Sequence, residues 1–190
     1  MEQLFDYISK RIDLTPEVKK FTQSVSTVKK LKKGDVLIEE NKNVKKIYFV
    51  MEGCLRSYVF DSQGKEYTLQ FALKNNWISD YIAIFNNEKS SQTVECIADS
   101  TVIETSLSEG IENIFLRYPK IESIHRKNLE RNIVSLQKRI LNQLQLTSLD
   151  RYRFFLKQYP EIEKYALNYH IASYLGITQQ SLSRIKASFK

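Results

Sequence analysis

The sequence predicts an α+β protein with a β-rich N-terminal part, one long helix and a small helical unit at the C-terminal end. Three observations support this. Short β-branched or aromatic runs separated by turn residues fill the segment from Val25 to Ser106, and no Gly or Pro interrupts the helical pattern from Ile121 to about Leu146. Two short helical patterns then follow Pro160. The predicted divisions are 1–120, 121–147 and 148–190.

The first 22 residues are predicted to be helical. Their apolar side chains recur at helical spacing, at Leu4, Phe5, Ile8 and Ile12. Thr15 followed by Pro16 is typical of a cap and a first helical residue, which predicts the start of a second short helix.

Six strand-like runs follow, at residues 36–38, 47–50, 55–60, 67–71, 93–97 and 101–104. The turns between them carry Gly34, Gly53 and Gly64, and residues 61–64 are typical of a hairpin loop. Closely spaced strands of this kind predict a sandwich or a barrel.

The long helix carries a heptad pattern. Leu129, Ile133, Leu136 and Ile140 recur at intervals of four, three and four residues, and a helix over 121–146 would be about 39 Å long. We predict that these four residues form a homodimer interface. The alternative is that they pack on the β-rich part of the same chain.

The net charge of +7 lies mostly at the C-terminal end, where residues 151–190 hold seven Lys or Arg and only two Glu. Such an excess favours a polyanionic partner, with nucleic acid first and an anionic membrane surface second. A basic tail that serves only solubility is the simpler alternative.

Several protein classes lack support in the sequence. Charged residues interrupt every window long enough to span a bilayer, and no basic segment precedes an apolar run at the N-terminus, so we expect a cytoplasmic protein. Cys54 and Cys96 lack the close spacing of a metal site and are expected to be isolated buried thiols. Residues 25–106 contain no His, and no catalytic motif is found, so neither catalytic residues, a metal site nor a cofactor is predicted.

Residues 169–186 have the layout of a helix-turn-helix. Ala172 is small where two helices must approach, Gly176 suits a left-handed turn, and Thr178 suits the cap of the second helix. The apolar residues that would join the helices are Ile171, Leu175, Ile177, Leu182 and Ile185. Two ordinary surface helices with a solvated polar face are the alternative.

The polar residues around this motif predict contacts with double-stranded DNA. Arg184 suits guanine, Gln179 or Gln180 suits adenine, and Lys186 suits a phosphate. The complete set of candidates is Tyr169, His170, Thr178, Gln179, Gln180, Ser181, Ser183, Arg184 and Lys186. His125 and His170 are interpreted as surface or capping residues rather than ligands of a metal.

The chain resembles the Crp/Fnr group of transcriptional regulators. The resemblance rests on residues 169–178 (Tyr-His-Ile-Ala-Ser-Tyr-Leu-Gly-Ile-Thr), on Lys33-Gly34-Asp35, on residues 47–53 and on the hairpin at 61–66. It implies a jelly-roll (double-stranded β-helix) effector domain, a long dimerisation helix, a C-terminal helix-turn-helix domain, a palindromic DNA site and contacts with RNA polymerase.

The resemblance also implies where a small-molecule effector would bind. Cyclic-nucleotide-binding relatives use a Gly-Glu pair and an Arg that neutralises the cyclic phosphate; the corresponding positions here are Ser79-Asp80 and Ser90. Because the cation is absent, we expect that cyclic AMP is not the effector. The predicted pocket residues, for an unidentified ligand, are Phe71, Trp77, Asp80, Tyr81, Ser90 and Ser91, and the long helix is expected to cover this pocket.

The main alternative function is a ligand-binding or protein-interaction module whose helix-turn-helix is degenerate. Such a protein would bind DNA weakly, without sequence preference and only at low salt.

Overall fold

The computed structural model describes residues 1–188; Phe189 and Lys190, at the end of the predicted 148–190 unit, lie outside the described residues. Two helices open the chain, α1 (Glu2–Ser9) and α2 (Pro16–Val25). The hydroxyl of Thr15 accepts a hydrogen bond from the Val18 N–H at 3.4 Å, so the predicted cap is confirmed.

Eight strands follow: β1 (Ser26–Leu31), β2 (Val36–Ile38), β3 (Lys46–Glu52), β4 (Leu55–Phe60), β5 (Glu66–Ala72), β6 (Trp77–Ile78), β7 (Thr93–Cys96) and β8 (Ser100–Ser106). They form two antiparallel four-stranded sheets, ordered β1-β8-β3-β6 and β2-β7-β4-β5. Apart from the β4–β5 hairpin, which lies in one sheet, the chain alternates between the two sheets, as in a jelly roll. The predicted α+β fold is confirmed, and β5 is an edge strand.

Three elements were not predicted. β1 pairs with β8 along its whole length, and the two-residue β6 pairs with Tyr48 and Phe49 of β3. The short helix α3 (Tyr81–Asn86) begins after Asp80, whose side chain accepts a hydrogen bond from the Ala83 N–H. It lies between β6 and β7, close to the predicted pocket residues.

The core of the β-region lies between the two sheets and on the outer face of β3. Tyr48, Val50 and Leu55 are buried between the sheets, whereas Phe49 packs against Leu4 of α1. Because helices cover its outer face, β3 carries four consecutive buried residues rather than an alternating pattern.

The remaining elements are α4 (Ile111–Arg117), α5 (Pro119–Gln145), α6 (Ser148–Gln158), a 3₁₀ turn (Ile162–Lys164), α7 (Asn168–Leu175) and α8 (Gln179–Ser188). The predicted long helix is confirmed as α5. A buried cluster made mainly by α6, α7 and α8 also includes Phe71 of β5, so this cluster continues into the β-region. No helix of residues 1–188 is both long and apolar enough to cross a membrane.

Candidate functional site

The turn between α7 and α8 has the geometry that the sequence predicted. Gly176 adopts φ 67° and ψ 37°, a left-handed conformation that favours glycine. Its N–H donates to Ser173 O at 3.2 Å, and the Ile177 N–H donates to Ala172 O at 3.0 Å. This pair of hydrogen bonds is a Schellman motif, which ends α7 and turns the chain sharply into α8.

The start of α8 is capped by Thr178. The Ser181 N–H donates to Thr178 Oγ1 at 3.1 Å, and the Leu182 N–H donates to Thr178 O at 3.0 Å. Leu182 is fully buried against Ile171 and Ala172 of α7. The crossing of the two helices is therefore fixed by apolar packing.

The polar face of α8, made of Gln179, Gln180, Ser183 and Arg184, is exposed to solvent. Arg184 forms no ion pair with any acidic side chain of residues 1–188. Ser181 is half-buried, and Lys186 forms an ion pair with Glu163 and donates a hydrogen bond to Asn168 Oδ1 at 2.8 Å. The free guanidinium and amide groups are therefore concentrated on one side of the helix.

His170 lies away from that face. Its side chain is only 4% exposed, and neither ring nitrogen has a hydrogen-bond partner among the described residues. Burial, together with the charges of Arg56 and Lys33, lowers its pKa to about 3, so the imidazole is neutral. The expectation of a surface or capping residue is wrong for His170, because α7 packs this side chain against the β-region. Tyr169 is exposed, with its ring 5.9 Å from the Arg56 guanidinium.

Arg56 forms a buried ion network beneath Tyr169. Its guanidinium contacts Glu66 of β5 and Glu95 of β7, and it donates to Thr68 Oγ1 at 3.3 Å. Burial opposes the positive charge, but hydrogen bonds to the two carboxylates outweigh it and raise the pKa of Arg56. The network fixes three strands beneath α7.

The four residues predicted to form a dimer interface lie along α5. Ile133, Leu136 and Ile140 are 55%, 53% and 57% exposed, whereas Leu129 is half-buried. Leu144 continues the exposed series. In a single chain Ile133, Leu136 and Ile140 are exposed, and Leu129, Ile133 and Leu136 also line the cavity between α5 and the β-region.

A cavity of about 570 Å³ separates the β-region from α5, and we call it the large cavity. It is lined by five of the six predicted pocket residues, namely Phe71, Trp77, Asp80, Tyr81 and Ser91, whereas Ser90 is not part of its lining. The long helix was expected to cover the pocket, but the sequence did not identify which of its residues line it, or the contributions of Tyr159 and Tyr174. These residues come from helices that only the tertiary fold brings to the cavity.

The carboxylate of Asp80 is fully buried and surrounded by donors. Oδ1 accepts from the Ala83 N–H at 3.1 Å, while Oδ2 lies 3.0 Å from the Ser91 N–H. The hydroxyls of Ser90 and Ser91 lie 2.8 Å and 3.3 Å from Oδ2. The Asp80 carboxylate thus accepts the hydrogen bonds that the Ser90 and Ser91 donors, in the loop after α3, could otherwise offer to a ligand.

His125 is also buried, which corrects its interpretation as a surface residue. Its ring lies 6.2 Å from that of Trp77 and 5.3 Å from that of Phe115. Burial lowers its pKa to about 4. Both cysteines are buried free thiols, and no group of His, Cys, Asp and Glu within residues 1–188 has an arrangement suited to a metal ion.

The comparison with known families gives one match. Residues 28–118 match the family model of the cyclic nucleotide-binding domain, a segment that includes the loop around Asp80 and Ser91. Among curated proteins, none matches the chain by sequence.

Solved structures share the fold over most of the chain. FixK2 from Bradyrhizobium japonicum is 19% identical with a TM-score of 0.72, covering 86% of this chain and 84% of FixK2. A protein from Eubacterium rectale assigned to the Crp/Fnr family of transcriptional regulators is 17% identical with a TM-score of 0.72. The match covers 95% of this chain and 87% of that protein. CLP, a c-di-GMP responsive global regulator from Xanthomonas campestris, is 12% identical with a TM-score of 0.68, covering 90% and 89%.

Proposed function

We propose that this protein is a DNA-binding transcriptional regulator of the Crp/Fnr type, which acts as a homodimer on a palindromic site and is not controlled by cyclic AMP. The observation that carries the proposal is the α7–α8 unit. A glycine turn and a Thr178 cap fix α8, and its polar face stays exposed. Amide and guanidinium groups on an exposed helix suit base edges in the major groove.

Similarity of fold supports this proposal from a second direction. The chain shares its fold over most of its length with a Crp/Fnr regulator, and its matched family is a ligand-binding domain. A ligand-controlled β-domain joined to a helix-turn-helix is the arrangement expected of such a regulator.

The homodimer is proposed from α5. Exposed Ile133, Leu136 and Ile140 at heptad spacing would be covered by the same residues of a second copy. A two-fold axis along this interface would present two α8 helices to two half-sites about one helical turn apart, which requires a palindrome.

Independence from cyclic AMP is proposed from the donors around Asp80. A cyclic phosphate needs a cation, but the corresponding position holds Ser90, which is buried and lies beside Asp80. A second anion placed next to the buried Asp80 carboxylate would be repelled. We propose that the large cavity, whose lining includes aromatic and amide side chains together with Arg131 and Arg139 of α5, takes a different small molecule.

The test is selection of binding sites from random duplex DNA by the purified full-length protein near physiological salt, with and without cyclic AMP. We expect the same palindrome to be enriched in both conditions. Enrichment only with cyclic AMP would reject the proposed independence of this nucleotide. Binding to all duplexes alike, lost on adding salt, would favour the interaction module with a degenerate motif.

A further inference from the structure

The edge strand β5 carries an irregularity at Leu69. Along the β4–β5 ladder, Ser57 pairs with Gln70 and Tyr58 pairs with Thr68, so Leu69 has no opposite residue. A bulge of this kind bends a strand and leaves backbone groups without a strand partner. On a free edge these groups would bond to water or to another chain.

Ser173 of α7 bonds to this edge. The Thr68 N–H donates to Ser173 Oγ at 2.8 Å, and Ser173 Oγ donates to Glu66 O at 2.9 Å. The two backbone groups flank Tyr67. One hydroxyl therefore supplies both the acceptor and the donor that a neighbouring strand would supply.

Arg139 of α5 completes the contact. Its guanidinium donates to Leu69 O at 2.7 Å and to Thr68 O at 3.1 Å, and the same group donates to Tyr174 O at 2.9 Å. It also stacks over the Tyr174 ring at 4.0 Å. Arg139 thus joins the helix of the proposed dimer interface, the sheet edge and the first helix of the α7–α8 unit.

Aromatic packing supports these hydrogen bonds. Phe71 is 1% exposed, and its ring lies 5.5 Å from Tyr174, 5.9 Å from Phe155 and 5.9 Å from Tyr159. We call the hydrogen bonds of Ser173 and Arg139 with β5, together with this packing, the α7–β5 interface. It fixes the orientation of α7, and through the Gly176 turn that of α8.

We infer that Ser173 and Arg139 are positioning residues, and that the arrangement docked through the α7–β5 interface is the one that binds DNA. The inference rests on the proposed function. The polar face of α8 is exposed while α7 is docked on β5, so docking covers none of that face. Two half-sites at a fixed spacing require a fixed orientation of α8 relative to α5, which Arg139 provides.

The interface also adjoins the large cavity. Leu69, Phe71, Arg139 and Tyr174 all line it. A small molecule in the cavity therefore contacts the residues that set the orientation of α8.

The first experiment tests whether the α7–β5 interface forms, by measuring hydrogen exchange of the Thr68 amide in the full-length protein. In Ser173→Ala, the Thr68 amide loses its acceptor, and we expect its hydrogen exchange to accelerate about fivefold, the effect of one ordinary hydrogen bond. Ser173→Thr restores a hydroxyl and is expected to restore slow exchange. Unchanged Thr68 exchange in Ser173→Ala would overturn the interface.

The second experiment measures DNA affinity on the selected palindrome by fluorescence anisotropy. The inference takes the docked form as the predominant one, in which case a single lost bond would change affinity little, so the double variant Ser173→Ala/Arg139→Gln is used. We expect its affinity to fall about tenfold or more, since several hydrogen bonds, some of them charge-assisted, are lost and only the docked fraction binds. Lys138→Gln is the control, because it removes the same charge from an exposed neighbouring position of α5.

Unchanged or tighter DNA binding by the double variant, together with fast Thr68 exchange, would overturn the assignment of the docked arrangement as the DNA-binding one. An equal loss in Lys138→Gln would also overturn it, since the effect would then be one of charge alone. If the unaltered protein shows no sequence preference for DNA, the proposed function fails and the DNA assignment fails with it, whereas Thr68 exchange still reports the interface.

Discussion

Arg184 is the residue on the polar face of α8 best suited to identify a base, because its guanidinium is exposed and lacks an acidic partner among residues 1–188. We expect Arg184→Ala to remove preference at one position of each half-site, at about 1–3 kcal/mol per base pair. Competition binding with singly substituted sites measures this.

Lys186→Ala is the matched comparison, since Lys186 is proposed to contact phosphate. We expect a similar weakening on every sequence and a smaller salt dependence. A uniform loss across all sites for Arg184→Ala would contradict the assignment of Arg184 to a base.

His125 gives the protein a dependence of stability on pH. Burial lowers its pKa from 6.5 to about 4, so the unfolded chain takes up the proton first as the pH falls. Neutral His125 contributes about 3 kcal/mol to the free energy of unfolding. This contribution is complete above pH 6.5 and is lost progressively as the pH falls to about 4.

We expect His125→Leu to lack this part of the pH dependence, because it keeps an apolar side chain in the same space. Urea unfolding of both proteins at several pH values between 4 and 7 measures the difference. Parallel stability curves over that range would show that His125 is not buried in the neutral form.

The sequence could predict the layout of the α7–α8 unit but not the position of every side chain in it. Gly176 and Thr178 act through local backbone geometry, which the sequence encodes directly. The burial of His170 depends instead on docking against a strand about 100 residues earlier in the chain. No local pattern carries that information.

At the scale of elements, α5 carries the proposed dimer interface. We expect Leu136→Glu to yield monomers, because two copies of the charge would face each other in an apolar contact. Leu116→Glu is the control: Leu116 is 83% exposed and lies on α4, outside the stripe. Sedimentation velocity separates the two outcomes, and a dimer that persists in Leu136→Glu would move the interface elsewhere.

Two strands, β1 and β6, were not predicted from the sequence, and the physical reason is different for each. β1 is an edge strand with the consecutive lysines Lys29 and Lys30 in it, so its apolar content is low, although its backbone pairs fully with β8. β6 has only two residues, too few for any periodic pattern. The six predicted strands are those with dense β-branched or aromatic side chains.

At the scale of the whole molecule, the charge of +7 and its concentration near the C-terminal end would govern the proposed association with DNA. We expect affinity for the selected palindrome to fall by about a thousandfold between 50 and 200 mM salt if about six phosphates are contacted. Anisotropy titrations over a salt series measure the slope of the logarithm of the binding constant against the logarithm of the salt concentration. A slope near zero would exclude phosphate contacts as the main source of affinity.

The jelly roll could be expected from the resemblance of the sequence to the Crp/Fnr group. Part of the lining of the large cavity could be predicted in the same way. Residues such as Trp77 and Tyr81 lie close in the chain to Asp80, the position that the resemblance identified, so they could be predicted with it. Arg139 and Tyr174 reach the cavity only because α5 and α7 both pack on β5. The pocket's far wall is therefore a property of the tertiary structure.

The bulged edge of β5 also affects solubility. With α7 in place, Ser173 and Arg139 bond to backbone groups of this edge. A chain shortened after residue 147 would keep Arg139 but lose Ser173, which would expose the Thr68 N–H and the Glu66 carbonyl of that edge, along with the apolar ring of Phe71. An open strand edge beside an apolar patch is a template for pairing with other chains. We therefore expect the C-terminal helices to protect the β-region from aggregation.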